Sequence, residues 1–440
     1  MRIINIKSIN QMSLALIVSI LFIAGCDNIS VIGDKDNDGD TVPRTVDNPP
    51  PEEPAPPEEP TDPNGPVDPG LPDESDPGGP ILLSLRDVNG DGIQDIAVII
   101  EDPTNEKLTA TVKDANNNLI NTISFTGDCR LLSAVPLPDM NGDLGMELAV
   151  ICRDRSTGEP AIEIRNPSNG GLIRNMRFSS DLQLLFTSTV EDVSGDGFPE
   201  LAALFKETAP TGLLFTQIIN PLDGVSMNNV YFDNRFIARD LLSIPDMDRS
   251  GIPEIVFLGE TSKGEFRTVI RDAQSNAIVS TKSLGSQFTV KQLSVAPNRN
   301  GDSIEEIAAL RQDRSLTVLL YQAFDGALSN VVNFNPEFKS EKMLILADIN
   351  GNGALELAVL GLNPKTDSIK TEVRDARTGD LLSNVLWPTL YLPVDTVTMT
   401  DINFNGSQEL VYLGRRDSDG KLMVYIKDSI TNELLGTIDF

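Results

Sequence analysis

The sequence predicts an all-β fold: seven four-stranded units closed into a ring, the plan of a seven-bladed β-propeller. Three observations predict it. An acidic stretch with a glycine near its middle, first met as "DVNGDGIQDIAV" at Asp87, returns six more times. Its copies start at Asp139, Asp192, Asp246, Asn298, Asp348 and Asp401, at spacings of 50 to 54 residues. Each copy lies between two short apolar runs, and the repeats fill the chain from Ile81 to Phe440 without remainder. A fixed period of this length marks repeated supersecondary units.

Each unit reads as four strands, here named A to D. Strand A is a short apolar run such as "LLSAVPL" or "MLILA", and the acidic loop follows it. Strand B is apolar at consecutive positions, as in Ile96 to Ile100, which predicts burial on both faces. Strand C ends in a second polar turn about 27 residues after the first acid, as in "VKDANNN", "IRDAQSN" and "VRDARTG". Strand D closes the unit, as in "LLSNVLW" and "LLGTIDF". The outer strands alternate more strictly, which fits one wet face. Sheets of this kind stack face to face around an axis, and radial packing buries the inner strands on both sides. An open solenoid would need distinct capping repeats, and neither end of the series has one. With seven whole units, closure joins the first to the seventh by face packing, with no exchanged strand.

Composition narrows the function classes. Of the 440 residues, none is histidine, and the net charge is −30. The absence of histidine removes the commonest general base and zinc ligand. The charge repels nucleic acid and anionic headgroups and attracts cations, so nucleic-acid binding is set aside.

The first 80 residues are of other kinds. Arg2 and Lys7 precede an apolar stretch, Met12 to Ile23, too short to span a bilayer comfortably. "IAGC" at Ile23 to Cys26 then resembles the lipobox of bacterial lipoproteins. That resemblance implies removal of residues 1–25, lipid attachment at Cys26 and an extracytoplasmic, membrane-anchored place in the bacterial cell envelope, periplasmic or at the cell surface. "DKDNDGD" at Asp34 to Asp40 begins like a calcium loop but has Thr45 where an EF-hand needs its closing glutamate, and reads as an acidic spacer. From Pro43 to Pro80 lie 14 of the 29 prolines and ten acids against one base, Arg44. Such a segment cannot bury enough apolar surface to order itself. At about 3.1 Å per residue it would act as a stalk on the order of 100 Å long. The expected division is therefore 1–25 leader, 26–80 lipidated cysteine and stalk, and 81–440 propeller.

The loop followed by "E-[IL]-A-V-L" resembles the FG-GAP and VCBS repeat families, known from integrin α-subunit propellers and secreted bacterial proteins. The resemblance covers about four-fifths of the chain. It implies structural Ca²⁺ held by side chains at the first, third, fifth and ninth loop positions and by a backbone carbonyl at the seventh. The chemistry agrees: Ca²⁺ takes six to eight oxygens in irregular geometry, and glycine at the sixth position permits the reversal.

The copies are unequal. The first carries Asp87, Asn89, Asp91 and Asp95, the full pattern; the second has Asp139, Asn141, Asp143 and Glu147, with Leu144 in place of the glycine. The third has Asp192, Ser194, Asp196 and Glu200, and the fourth Asp246, Asp248, Ser250 and Glu254. The fifth has Asn298, Asn300, Asp302 and Glu306, and the sixth Asp348, Asn350, Asn352 and Glu356. The sixth and seventh loops place only two carboxylates each, the seventh through Asp401 and Glu409. A metal-free polar turn is the alternative at every copy, because Asn-Gly and Asp-Gly form turns unaided. That alternative is strongest for the last two.

Cys129 and Cys152 fall on strands A and B of the second unit, where a cross-strand disulfide is geometrically possible in an oxidising compartment and two unpaired buried thiols are the alternative. Trp387, in strand D of the sixth unit, reads as packing rather than a sugar platform. With no Ser–His or Cys–His arrangement and no phosphate loop, the chain is expected not to be an enzyme. The expected role is a lipid-anchored binding or adhesion scaffold for a protein or envelope partner. The alternative is a lectin or a calcium-assisted polysaccharide lyase or hydrolase, acting on glycan.

Overall fold

The computed structural model describes residues 79–440, apart from 103, 144, 209–210 and 298–304. The expected leader, Cys26 and the proline-rich segment up to residue 78 lie outside the described residues. Alternating apolar residues, broken by glycine-rich acidic turns, give seven antiparallel sheets, each of four strands consecutive in the chain. The first blade comprises Ile81–Leu85, Asp95–Glu101, Leu108–Lys113 and Leu119–Ser124. The last comprises Tyr391–Met399, Glu409–Arg416, Leu422–Asp428 and Leu434–Asp439. No strand is exchanged between the ends.

Strand A is innermost: each touches the A strands of its neighbours, and that of blade 7 touches that of blade 1. Strand B is buried almost throughout, as its unbroken apolar pattern requires. Strand D alternates with exposed positions. The core is divided into seven apolar clusters, each between two adjacent blades. The cluster that closes the ring sets Leu82, Ile96 and Val98 of blade 1 against Val411, Val424 and Ile426 of blade 7. Each such side chain contributes about 1.5–3 kcal/mol when fully buried, so closure rests on ordinary hydrophobic packing.

A β-bulge interrupts strand A of blades 2 to 7. The extra residue kinks the strand and re-aims the next side chain. After the bulge, Asp240 accepts from the Leu293 N–H of blade 5 at 2.7 Å. Gln292 bonds both the N–H and the C=O of Met343 in blade 6. Lys342 pairs with Asp395 of blade 7 at 2.6 Å, and Asp395 accepts from the Leu82 N–H of blade 1 at 3.0 Å. Polar groups thus stitch successive inner strands together.

Candidate metal centres

Each described acidic loop is a tight knot of backbone-to-carboxylate bonds. In blade 1, Asp87 accepts the N–H groups of Gly90, Asp91 and Gly92 at 2.6, 3.0 and 2.6 Å. Asp192 and Asp348 hold the matching N–H groups of blades 3 and 6 in the same way. In loops 1, 3, 4, 6 and 7 the fourth and the sixth residues have positive φ; in blade 1 these are Gly90 at 84° and Gly92 at 86°. Arg249 and Phe404 occupy the fourth position of blades 4 and 7 at 66° and 59°. The ninth residue opens strand B and reaches back to the second. Asp95 accepts the Val88 N–H at 2.6 Å, Glu147 that of Met140 at 2.9 Å, and Glu254 that of Met247 at 3.0 Å.

The ninth carboxylates are fully buried. Desolvation pushes Asp95, Glu147, Glu356 and Glu409 up to about 7 and Glu254 up to about 8, with neighbouring loop acids adding repulsion. Glu200 moves the same way for the same reason. Asp87 and Asp192 go in the opposite direction: desolvation raises them, but the sum of the N–H bonds they accept holds both below the usual carboxylate range.

The donor set fits a hard divalent cation. Asp95 Oδ1, Glu254 Oε1 and Glu409 Oε2 are buried and accept no hydrogen bond. A buried carboxylate oxygen left without a donor is costly, and a cation supplies the missing partner. All side-chain donors here are oxygen or amide, which suits Ca²⁺ better than a soft metal. Bound there, the ion would neutralise the clustered charge and tie the start of strand B to the loop.

The predicted ligands are not brought together equally. Oxygens of Asp139, Asp143 and Glu147, of Asp192, Asp196 and Glu200, and of Asp246, Asp248 and Glu254 lie within 4.8 Å of one another. Asp87, Asp91 and Asp95 do not converge in this way among the described residues. Asp95 is one methylene shorter than the glutamates that close the other loops. Asn89 turns its amide to Asp91 at 3.2 Å, Asn141 to Glu147 at 2.7 Å and Asn350 to Glu356 at 2.8 Å, while Ser194 donates to Asp192 at 3.2 Å. In the fifth loop Asn298, Asn300 and Asp302 lie outside the described residues, as does Leu144 in the second; Glu306 is buried at the head of strand B.

One set of residues was not read as part of the site. In blades 2, 3, 4, 6 and 7 the first residue of the C–D turn folds back onto the acidic loop of its own blade. Asn166 donates to Asp143, and Asn220 donates to Asp196 at 2.7 Å. In blades 4, 6 and 7 the charge is on the other partner. Ser250 donates to Asp272 at 3.0 Å, Asn350 and Asn352 donate to Asp375, and Asn405 donates to Asp428 at 2.5 Å. All five turn residues are buried. Loops 6 and 7 therefore have a third carboxylate each, supplied from outside the loop. The signal was in the sequence as the repeated "D-[AS]-x-[TS]" turn at Asp272, Asp375 and Asp428, but its partner lies more than twenty residues away.

Cys129 and Cys152 are joined in a disulfide, with Cα atoms 5.7 Å apart. Trp387 is 4% exposed, donates to Thr371 Oγ1 at 2.9 Å and stacks on Tyr412 of blade 7. It is inter-blade packing.

No family model matches the chain, and no curated relative does. Solved structures share the architecture. BBS1N, captured in complex with ARL6DN, aligns over 81% of this chain and 90% of its own, at 12% identity and a TM-score of 0.50. Rhamnogalacturonan lyase YesW aligns over 78% and 72%, at 13% identity and a TM-score of 0.43. Dihydro-heme d1 dehydrogenase NirN aligns over 78% and 73%, at 10% identity and a TM-score of 0.46. The expectation that the chain is not an enzyme is corrected by the last two. One fold hosts many functions, so the architecture does not place the chain outside enzymes.

Proposed function

We propose that the chain is a lipid-anchored, extracytoplasmic propeller of the FG-GAP/VCBS type that presents one calcium-braced face to a protein partner of the cell envelope. In this reading residues 1–25 are a lipoprotein leader, Cys26 carries the lipid and the proline-rich segment to Pro80 is the stalk. The metal ligands are the first, third, fifth and ninth loop residues given above.

The observation that carries the reading is the composition of one face. The acidic loops and the C–D turns share one edge of the blade, and bonds join them in blades 2, 3, 4, 6 and 7. Neighbouring loops also touch: Ala347 donates to Gln408 at 2.7 Å, and Thr400 to Gln94 at 2.7 Å. Just outside this acidic ring, one aliphatic side chain per blade stands exposed at the head of strand D. These are Leu119, Leu172, Val225, Ile278, Leu328, Leu381 and Leu434, between 48% and 61% exposed. Single exposed apolar residues need no explanation, but the same placement in every blade makes a rim around a charged centre. A polar, charged area bordered by apolar contacts suits recognition of another protein. BBS1N, whose fold is similar, was captured in complex with ARL6DN.

The test is capture of a defined envelope protein from crosslinked cells by the wild type and by Leu381→Asp/Leu434→Asp. A partner held by the wild type and lost by the variant supports the reading. Binding on a glycan array, or release of reducing ends from a polysaccharide, would overturn it in favour of a carbohydrate-directed propeller. The calcium part is tested separately. Chelator is expected to lower the thermal midpoint, and an unchanged midpoint with no metal by elemental analysis would defeat it.

A further inference from the structure

The fifth loop position and the first residue of the C–D turn form a pair in which the charge changes sides. In blades 2 and 3 the loop carries the carboxylate and the turn an asparagine; in blade 4 the loop carries Ser250 and the turn Asp272. We infer that the blade 4 cation centre is completed from outside its loop: Asp272 supplies the negative charge that the fifth position lacks and orients Ser250 toward the ion. The inference rests on the cation reading above.

Three observations bear on it. Oxygens of Asp246, Asp248 and Glu254 already converge within 4.8 Å. Glu254 is fully buried and its Oε1 has no hydrogen-bond partner, so one acceptor in the centre awaits a cation. Asp272 is 3% exposed, and its two oxygens do different work. Oδ1 caps the turn by accepting from Gln274 at 3.0 Å and Ser275 at 2.5 Å. Oδ2 accepts the Ser250 hydroxyl at 3.0 Å. A serine that donates its proton to Asp272 keeps both lone pairs as acceptors; one takes the Ile252 N–H at 3.2 Å, which leaves the other for the ion. With Asp272 counted, blade 4 has more carboxylates than either of the other two gathered centres, so it is the first to fill.

Asparagine at the turn conserves the capping oxygen and removes only the charge. Blades 2 and 3 show that it does so: Asn166 Oδ1 accepts from Ser168 at 2.9 Å and Asn220 Oδ1 from Leu222 at 2.9 Å. The experiment is calorimetric titration of calcium into the chelator-stripped full chain, comparing wild type, Asp272→Asn and Ser250→Asp/Asp272→Asn. Removing an outer partner of a metal site typically weakens it about 10–100-fold, and that loss is expected for the first equivalent bound by Asp272→Asn. The double variant rebuilds the blade 2 arrangement and is expected to recover most of the affinity. Equal uptake by wild type and Asp272→Asn would overturn the inference and leave the cation reading standing. A double variant no tighter than Asp272→Asn would also overturn it. No uptake by the wild type would overturn both.

Discussion

At the residue scale, Phe404 is the plainest misfit. It holds the fourth loop position of blade 7 at φ 59° with 90% of its surface exposed, where blades 1, 2, 3 and 6 have glycine. An L-residue in this left-handed region costs roughly 1–2 kcal/mol, and glycine is free of that cost but loses more chain entropy on folding. Phe404→Gly is expected to raise stability by about 0.5–1 kcal/mol in urea unfolding; a lower midpoint would mean that the ring makes contacts worth more than its strain.

The buried ninth carboxylates set a pH dependence whose sign depends on the metal. In chelator, the folded state holds protons on Glu147, Glu254, Glu356 and Glu409 up to about 7–8, far above unfolded glutamate. The native state then binds more protons than the unfolded chain, so stability is full in acid and declines as pH rises through 7 to 8. Asp272, Asp375 and Asp428 are shifted down, desolvation being outweighed by the bonds they accept; their contribution is lost only on acidification below the ordinary carboxylate range. Metal-free protein is therefore expected to unfold at higher urea near pH 5 than near pH 8, and excess calcium to reverse the order. A metal-free midpoint that rises with pH would contradict this account.

At the element scale, strand placement was legible because each strand carries its burial pattern in its own residues. The consecutive apolar run Ile96 to Ile99 announces a strand covered on both faces, and it is. The inner-strand bulges were not legible. The slip between Ala238 and Asp240 has no local mark; it is set by the partner strand and by the use of Asp240 to hold blade 5. The loop–turn clasp was missed for a related reason: "IRDAQSN" satisfies turn chemistry by itself, so nothing local shows that Asp272 also faces Ser250. The ranking of the loops also changed in three dimensions, since a full set of acids at Asp87 to Asp95 converges less than a set closed by glutamate. The disulfide belongs to this scale as well. It bridges strands A and B of blade 2 at a separation of 23 residues, for which chain entropy gives about 3 kcal/mol. Reduction, or Cys129→Ser/Cys152→Ser, is expected to lower unfolding free energy by about that amount, read from denaturant midpoints in oxidised and reduced samples.

At the scale of the whole molecule, the ring was the most legible feature of all. Seven equal periods with no remainder leave few other ways to bury seven double-faced strands. What period alone could not show is how the seam is held. Asp395 sits there, bonded at once to Lys342 of blade 6, to its own Thr396 N–H and to Leu82 of blade 1. Asp395→Ala would strand a half-buried ammonium and an inner-strand N–H together, and is expected to cost about 2–3 kcal/mol. A loss no greater than that of an exposed surface ion pair would show that the apolar cluster alone closes the ring.

Because no strand is borrowed across the seam, the chain passes from Gly79 directly into the innermost strand of blade 1. That strand is five residues long, the shortest of the inner strands, and is paired only with Asp95–Ile99. Mechanical load drawn through the preceding segment would thus arrive at the hub rather than the periphery. It would be borne by one short hairpin, the carboxylate of Asp395 and the packing of Leu82, Leu83 and Leu85 against the neighbouring blades.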